Sequence, residues 1–229
     1  MDKVKIKETV ETINRLTNEL IQMVDEQETS KHEKLIEIGN CKPGDVVGIG
    51  GHTLEVLHIK YPAVKFIGGL RVGKVGVLCI DKDVIFNKEF DRINCNNWMV
   101  SDLRTYLHNR YVTELDIDIA KNLVPFERDL TSDDGLKDYC DETCIDTVSI
   151  LSCDEYRRYR PYISNKNHSW WTLTPYSTPS SGYSRSVQCV NIDGSLDYNH
   201  ADWEDCGVSA AYVLLPTTEV KMIEEGELC

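Results

Sequence analysis

The sequence changes character once, sharply, at Cys41-Lys42-Pro43-Gly44. The 38 residues up to Ile38 contain no aromatic residue, no proline and no glycine. Such a stretch reads as helix over residues 1–38. Ile6, Ile13 and Leu20 stand seven apart, and Leu16 and Met23 follow the last two by three. Those positions form an a/d seam with Thr9 as its weak member. The seam covers under three heptads and stops at the polar run Asp25-Glu26-Gln27-Glu28. A stripe that short is not stable alone in water, so it must dock. The choice is the chain's own domain or a second copy, and the seam Ile6, Ile13, Leu16, Leu20 and Met23 is read here as a homo-oligomerisation element.

Beyond the break the periodicity becomes that of strands. Asp45–Ile49 and Thr53–Ile59 alternate around Gly50-Gly51, a hairpin signal, and no helix follows those glycines as a dinucleotide fingerprint requires. Val75–Ile80 is apolar almost throughout and reads as a central strand. Ser101 caps a helix running to Leu107, with Leu103 and Leu107 on one face. Residues 113–123 fit helix or strand. The acidic stretch 129–142 reads as a solvated loop, because a calcium loop counted back from Gly135 would place Leu130 at a ligand position. Thr147–Leu151 is a strand, and Ser152 to Arg160 a helix capped by Ser152 or Asp154 and closed by Pro161. Asp193-Gly194 makes a hairpin turn, and Val208–Leu215 a closing strand ended by Pro216. The class is α+β.

Charge and cysteine content exclude several functions. With 25 basic and 38 acidic side chains the formal charge is −13, which argues against a phosphate-backbone partner; no nucleic acid is expected. No apolar run reaches the ~18 residues of a membrane span. No apolar stretch follows Met1-Asp2-Lys3-Val4-Lys5, so synthesis in the cytoplasm without a signal peptide is expected. The nine cysteines then read as reduced and mostly buried thiols. Cys140, Cys144 and Cys153 lack the second close pair of a structural zinc site, and no metal or cofactor is expected.

The last third differs from the rest. Ten of 19 aromatic residues lie between Tyr156 and Tyr212, and from Asn167 to Val220 Arg185 is the one cation against six carboxylates. Half of the 14 serines fall within 167–206. Tyr, Trp, Ser, Asn and Gly are the residues of adaptable recognition loops, although a β-rich domain with polar turns has the same composition. The candidate ligand-binding residues are Tyr176, Tyr183, Arg185, Tyr198, Asn199, His200, Asp202 and Trp203.

Four blocks recur in an order that carries a resemblance: Asn97-Trp98-Met99-Val100-Ser101-Asp102-Leu103-Arg104-Thr105-Tyr106-Leu107; Asp146-Thr147-Val148-Ser149-Ile150-Leu151-Ser152; Trp170-Trp171-Thr172-Leu173-Thr174-Pro175; and Val190-Asn191-Ile192-Asp193-Gly194-Ser195 ahead of Gly207-Val208-Ser209-Ala210-Ala211. Over roughly 36–216 the chain resembles a domain family of unknown function from phages and mobile elements of gut bacteria. That family is similar to C-type-lectin-like proteins, in the branch of formylglycine-generating enzymes and of variable proteins of diversity-generating retroelements. Where members typically carry Arg-Ser-Pro and Gly-Val-Arg-Pro-Ala, this chain has Leu173-Thr174-Pro175 and Gly207-Val208-Ser209-Ala210-Ala211, so two arginines are missing. The resemblance implies a lectin-like domain at 39–216 between the helix 1–38 and an acidic tail 217–229. It also implies a C-terminal ligand surface, whose segment Asp197–Asp202 suits adenine-directed diversification.

Enzyme readings are weaker. A formylglycine-generating-type oxidase needs a close cysteine pair, and Cys189 and Cys206 are 17 residues apart. His200 and Asp202 lack a nucleophile elbow, and the other histidines form no ligand-spaced pair. The expectation is a non-catalytic binding protein whose partner is a protein or cell-surface ligand. A structural phage or prophage virion component is the alternative, and the oxidase using Cys189 and Cys206 comes third.

Overall fold

The Gly50-Gly51 turn opens the longest hairpin system of the molecule. In a computed structural model the described residues are 12–13, 15–19, 35–139 and 144–223, and the chain divides into two compact units, Met1–Leu35 and Ile36–Cys229. Gly50 and Gly51 have φ of 53° and 77°, and a Cβ on Gly50 would stand 2.6 Å from the Asp116 side chain, so the turn tolerates only glycine there. It joins β2 (Val46–Ile49) to β3 (His52–Ile67), and Gly68-Gly69 turns β3 into β4 (Leu70–Asp81).

The first sheet has the order β1-β14-β2-β3-β4-β13-β8, with β1 Leu35–Glu37, β14 Glu219–Met222, β13 Ala211–Leu214 and β8 Val148–Ser149. The second has the order β11-β10-β9-β12-β5, with β5 Phe86–Asn87, β9 Trp170–Pro175, β10 Ser186–Val190, β11 Leu196–His200 and β12 Gly207–Val208. A third, two-stranded sheet pairs β6 (Phe126–Arg128) with β7 (Cys144–Asp146). Helical turns α1 (Asp102–Tyr106), a π-helical segment Leu107–Tyr111 and α2 (Val112–Glu114) follow one another directly, then α3 (Ile117–Ala120) and α4 (Cys153–Tyr159). The chain is therefore α+β, with more strand than helix.

Several elements differ from the sequence expectation. β3 and β4 extend well past Ile59 and before Val75; Pro62 hides the continuity, and the strand accommodates it beside a register shift between His58 and Tyr61. The expected closing strand Val208–Leu215 splits: Gly207–Val208 enters the second sheet and Ala211–Leu214 the first. The split is fixed by Ser209, whose Oγ donates to the Asp81 carbonyl at 2.7 Å, while Asp81 N–H donates to the Ala210 carbonyl at 2.9 Å. Both outer boundaries also move. Leu35–Glu37 is strand rather than helix end, since Ile38 and Gly39 N–H groups bond the Thr218 and Pro216 carbonyls, and the expected tail contributes β14. Of the N-terminal seam, Ile13 and Leu16 sit on helical backbone with side chains 56% and 48% exposed; Ile6, Leu20 and Met23 lie outside the described residues.

The two tryptophans of β9 point to opposite faces, as strand alternation requires. Trp171 packs with Phe90, which also meets Trp98, at ring separations of 5.9 and 5.7 Å. Trp170 packs edge-on to Tyr156 of α4. All five of these aromatic side chains are buried, and truncating either tryptophan is expected to cost about 3–5 kcal/mol.

One buried carboxylate ties α1 to β7 and β8. Asp146 is fully buried and accepts from Trp98 Nε1 (2.8 Å), Arg104 Nε (2.9 Å), Ser149 Oγ (3.0 Å) and Cys144 Sγ (3.3 Å), with His108 Nε2 at 3.2 Å. Burial pushes its pKa up, but His108, the Arg104 charge and the Trp98 donor outweigh burial and hold the carboxyl well below the ordinary 3.8. A depressed carboxylate contributes stability that is present above about pH 4 and lost as pH falls further. Asp146→Asn should destabilise by about 3–5 kcal/mol at neutral pH and lose less of its remaining stability than the parent below about pH 4. Urea unfolding at several pH values checks both.

Candidate functional site

The aromatic sector is built on the open edge of the second sheet. β10 and β11 are joined by Asn191–Ser195, where Gly194 has φ 82° and Asp193 Oδ1 accepts from Ser195 N–H at 2.9 Å. The Gly194 carbonyl accepts from Tyr156 OH at 2.6 Å, which pins the turn to α4. Register pairs Gln188 with Tyr198 and Cys189 with Asp197, so Leu196, Tyr198 and His200 share the face of Gln188 and Val190, while Asp197 and Asn199 share the face of Cys189.

The expected site residues do not all face the same way. Tyr176 stacks on Tyr198 with centroids 4.2 Å apart and planes at 29°, and both stay more than a third exposed. Tyr183 (69% exposed), Arg185, Asp202 and Trp203 (47%) are exposed on the flanking turns. His200 is exposed, with Nδ1 3.4 Å from Asn94 Nδ2. Asn199 turns inward instead: its amide lies 3.5 Å from Cys206 Sγ and 3.7 Å from Cys189 Sγ. It is a positioning residue for two buried thiols rather than a surface contact.

Those two cysteines, distant in sequence, meet in space. Each is at most 1% exposed, and the Asn199 amide lies within 3.7 Å of both sulfurs. The neighbouring Cys206 thiol, with burial second, pushes the Cys189 thiol above its ordinary range, and the neighbouring Cys189 lowers Cys206. Cys153 is a separate buried thiol, pushed up by burial to about 11, and Cys144 belongs to the Asp146 cluster. Cys140 lies outside the described residues. Among the described residues no three His, Cys, Asp or Glu side chains are placed to hold a metal ion.

Residues that sequence reasoning passed over hold the sector in place. Asn96 is completely buried; its amide donates to the carbonyls of Ser177 (2.7 Å) and Ser186 (2.9 Å), and its Oδ1 accepts from Tyr139 OH (3.0 Å). Asn94 adopts φ 61°, the sole positive φ of a non-glycine residue among those described, and accepts from Ala201 N–H at 3.0 Å. The run Asn94-Cys95-Asn96-Asn97 was the available signal, since asparagine suits turns and left-handed backbone. The acidic loop is likewise structural. Asp134 bonds Ser132 and Ser181, Asp138 bonds Ser180, and Asp133 bonds both Gln188 Nε2 (2.8 Å) and Arg157 (2.7 Å). Burial is the largest single influence on Asp134 and raises it, but its hydroxyl and backbone donors together outweigh burial and hold it at about 2. Arg157 therefore faces the protein's own carboxylates. A cavity of about 170 Å³ lies beside this loop, lined by Asp129, Asp133, Ser152, Cys153, Arg157 and Thr174.

The chain matches no family model, no curated protein and no solved structure.

The arrangement offers a rigidly anchored, aromatic and acidic surface. Asn96→Ala should lower stability by about 2–3 kcal/mol, because it orphans the Ser177 carbonyl and removes the acceptor of Tyr139 OH. It should also release the 176–186 turn, seen as faster amide exchange there with protection of β9 retained.

Proposed function

We propose that the protein is a non-catalytic binding protein with a C-type-lectin-like domain. It presents Tyr176, Tyr183, Arg185, Tyr198, Asp202 and Trp203 to a protein or cell-surface ligand, and oligomerisation through the N-terminal seam multiplies weak sites. The observation that carries this reading is the stacked Tyr176–Tyr198 pair, left open to solvent on an edge strand. Stacked rings have lost their conformational freedom before a ligand arrives, which is the economy of aromatic recognition surfaces. The turns around them are fixed by Asn94, Asn96 and the acidic loop, so the surface is preorganised. The phage or mobile-element setting, and diversification of Asp197–Asp202, follow from the resemblance and belong to the same proposal.

The test is a binding screen of the full chain against glycan arrays and intact bacterial cells. Tyr198→Ala and Trp203→Ala should abolish the signal and shift Tm by no more than about 2 °C. A collapse of Tm instead places these residues in the core and sinks the reading.

One observation favours a second reading, the thiol-based oxidase: the Cys189 and Cys206 sulfurs flank the same Asn199 amide, at 3.7 and 3.5 Å. Two thiolates suit Cu(I), and Cys189 and Cys206 would hold it; copper would supply the redox chemistry. Burial opposes thiolate formation at Cys189. Cu(I) titration against a competing chelator decides it: retention by the parent and loss in Cys206→Ser supports the oxidase, and no retention removes it.

A further inference from the structure

The β3–β4 hairpin continues beyond the sheet as an arm. β13 pairs with β4 from Val77 to Ile80, and among the described residues no strand lies along the other edge of β4 from Leu70 to Val75. Register sets Lys65 opposite Val72 and Ala63 opposite Lys74, so Lys65, Leu70, Val72 and Lys74 share one face. Leu70 is 73% and Val72 42% exposed. The opposite face carries Phe66, 52% exposed, and Arg71, whose guanidinium bonds Glu127 at 2.5 Å. From Lys60 to Val75 there are four cations and no carboxylate, in a chain whose other 21 cations face 38 carboxylates.

An exposed apolar edge is a template for pairing with another chain, and lysines along it oppose pairing with its own like. Two arms would set Lys65 and Lys74 against each other. The complementary surface is on the second sheet. β11 is the terminal strand there, with exposed Asp197, flanked by exposed Asp193 and Asp202 and by the rings of Tyr198 and Trp203. The Tyr198 N–H is bonded by the Asp197 carboxylate at 2.8 Å, so a cation that draws Asp197 away frees that donor for a neighbouring strand.

We propose that the arm of one copy seats along β11 of a second copy. The long Lys65 and Lys74 side chains reach Asp202 and the Asp197 carboxylate, which folds across the strand edge onto the Tyr198 N–H, and Leu70 and Val72 cover the Tyr198 ring. The contact is heterologous, joining two different patches, so it builds head-to-tail chains or rings rather than a closed two-fold dimer. An anionic bilayer is the less favourable occupant, because it repels the carboxylates that dominate the rest of the surface.

The proposal goes beyond the ligand-binding reading and stands apart from it, although both use Tyr198 and Asp202. The test is sedimentation of the full chain carrying Ile13→Ser and Leu16→Ser, so that the N-terminal seam does not supply the association. The parent should self-associate, and more weakly at high salt. Lys65→Glu with Lys74→Glu should weaken association at least about tenfold, as should Asp197→Lys with Asp202→Lys. Mixing the two charge-reversed proteins should restore it, since each then supplies what the other lacks. A parent that is monomeric at about 100 μM, a reversed arm that associates like the parent, or a mixture that stays dissociated each overturns the proposal. Binding of the parent to phosphatidylglycerol vesicles with no self-association overturns it in favour of a lipid surface. Ligand binding by the reversed-arm protein, whose Tyr198 and Trp203 are intact, reports on the site separately.

Discussion

The Asp146 carboxylate is the interaction on which the rest of this fold depends. It is a charge placed where water cannot reach it, and every donor it collects comes from an element that must be positioned first. Trp98 arrives from the turn before α1, Arg104 and His108 from the helical stretch itself, and Cys144 and Ser149 from the two short strands β7 and β8. Isolated, such a group would be too costly to bury. Its environment makes it a specificity device: only one docking of the helix on the strands provides all of its partners, and alternatives leave a charge unpaired.

A second constraint is the short chain segment shared by both sheets. Ser209 and Ala210 bond around Asp81, whose carboxylate links His52 Nδ1 and Tyr212 OH, each at 2.7 Å, and Tyr212 continues to Tyr111. Lys166 Nζ, itself buried, closes the same corner by donating to the Asp81 and Lys82 carbonyls at 2.7 and 2.8 Å. Burial lowers the Lys166 pKa while Glu55 and Asp81 resist that change. The aromatic sector on β9–β11 is thereby coupled to the large sheet through polar groups with almost no freedom to rearrange.

Much of this was legible in the residues, for local reasons. The Ser152 cap became a full capping box with Glu155, Ser101 accepts from Arg104 N–H, and the glycine and Asp-Gly turns fall where their φ requirements placed them. What escaped notice was non-local. Pro62 concealed a long strand, and the apparent run Val208–Leu215 concealed a change of sheet that only a hydrogen bond from Ser209 to a distant carbonyl determines. For the site, exposure of Tyr176, Tyr183, Tyr198 and Trp203 agrees with their polar, serine-rich surroundings. The inward turn of Asn199 and the meeting of Cys189 with Cys206 depend on strand register, which spacing alone does not reveal.

That register has a consequence for how the strand can change over time. On β11 two positions are committed to the interior: Asn199 answers to two buried sulfurs, and half-buried Leu196 packs against the core. The exposed positions, Asp197, Tyr198 and His200, have no such tie to the core. Sequence drift in this strand should therefore be uneven, with Leu196 and Asn199 held by the interior and the residues beside them free to be rewritten. A lineage under pressure to meet new partners could turn over that surface without ever renegotiating its core.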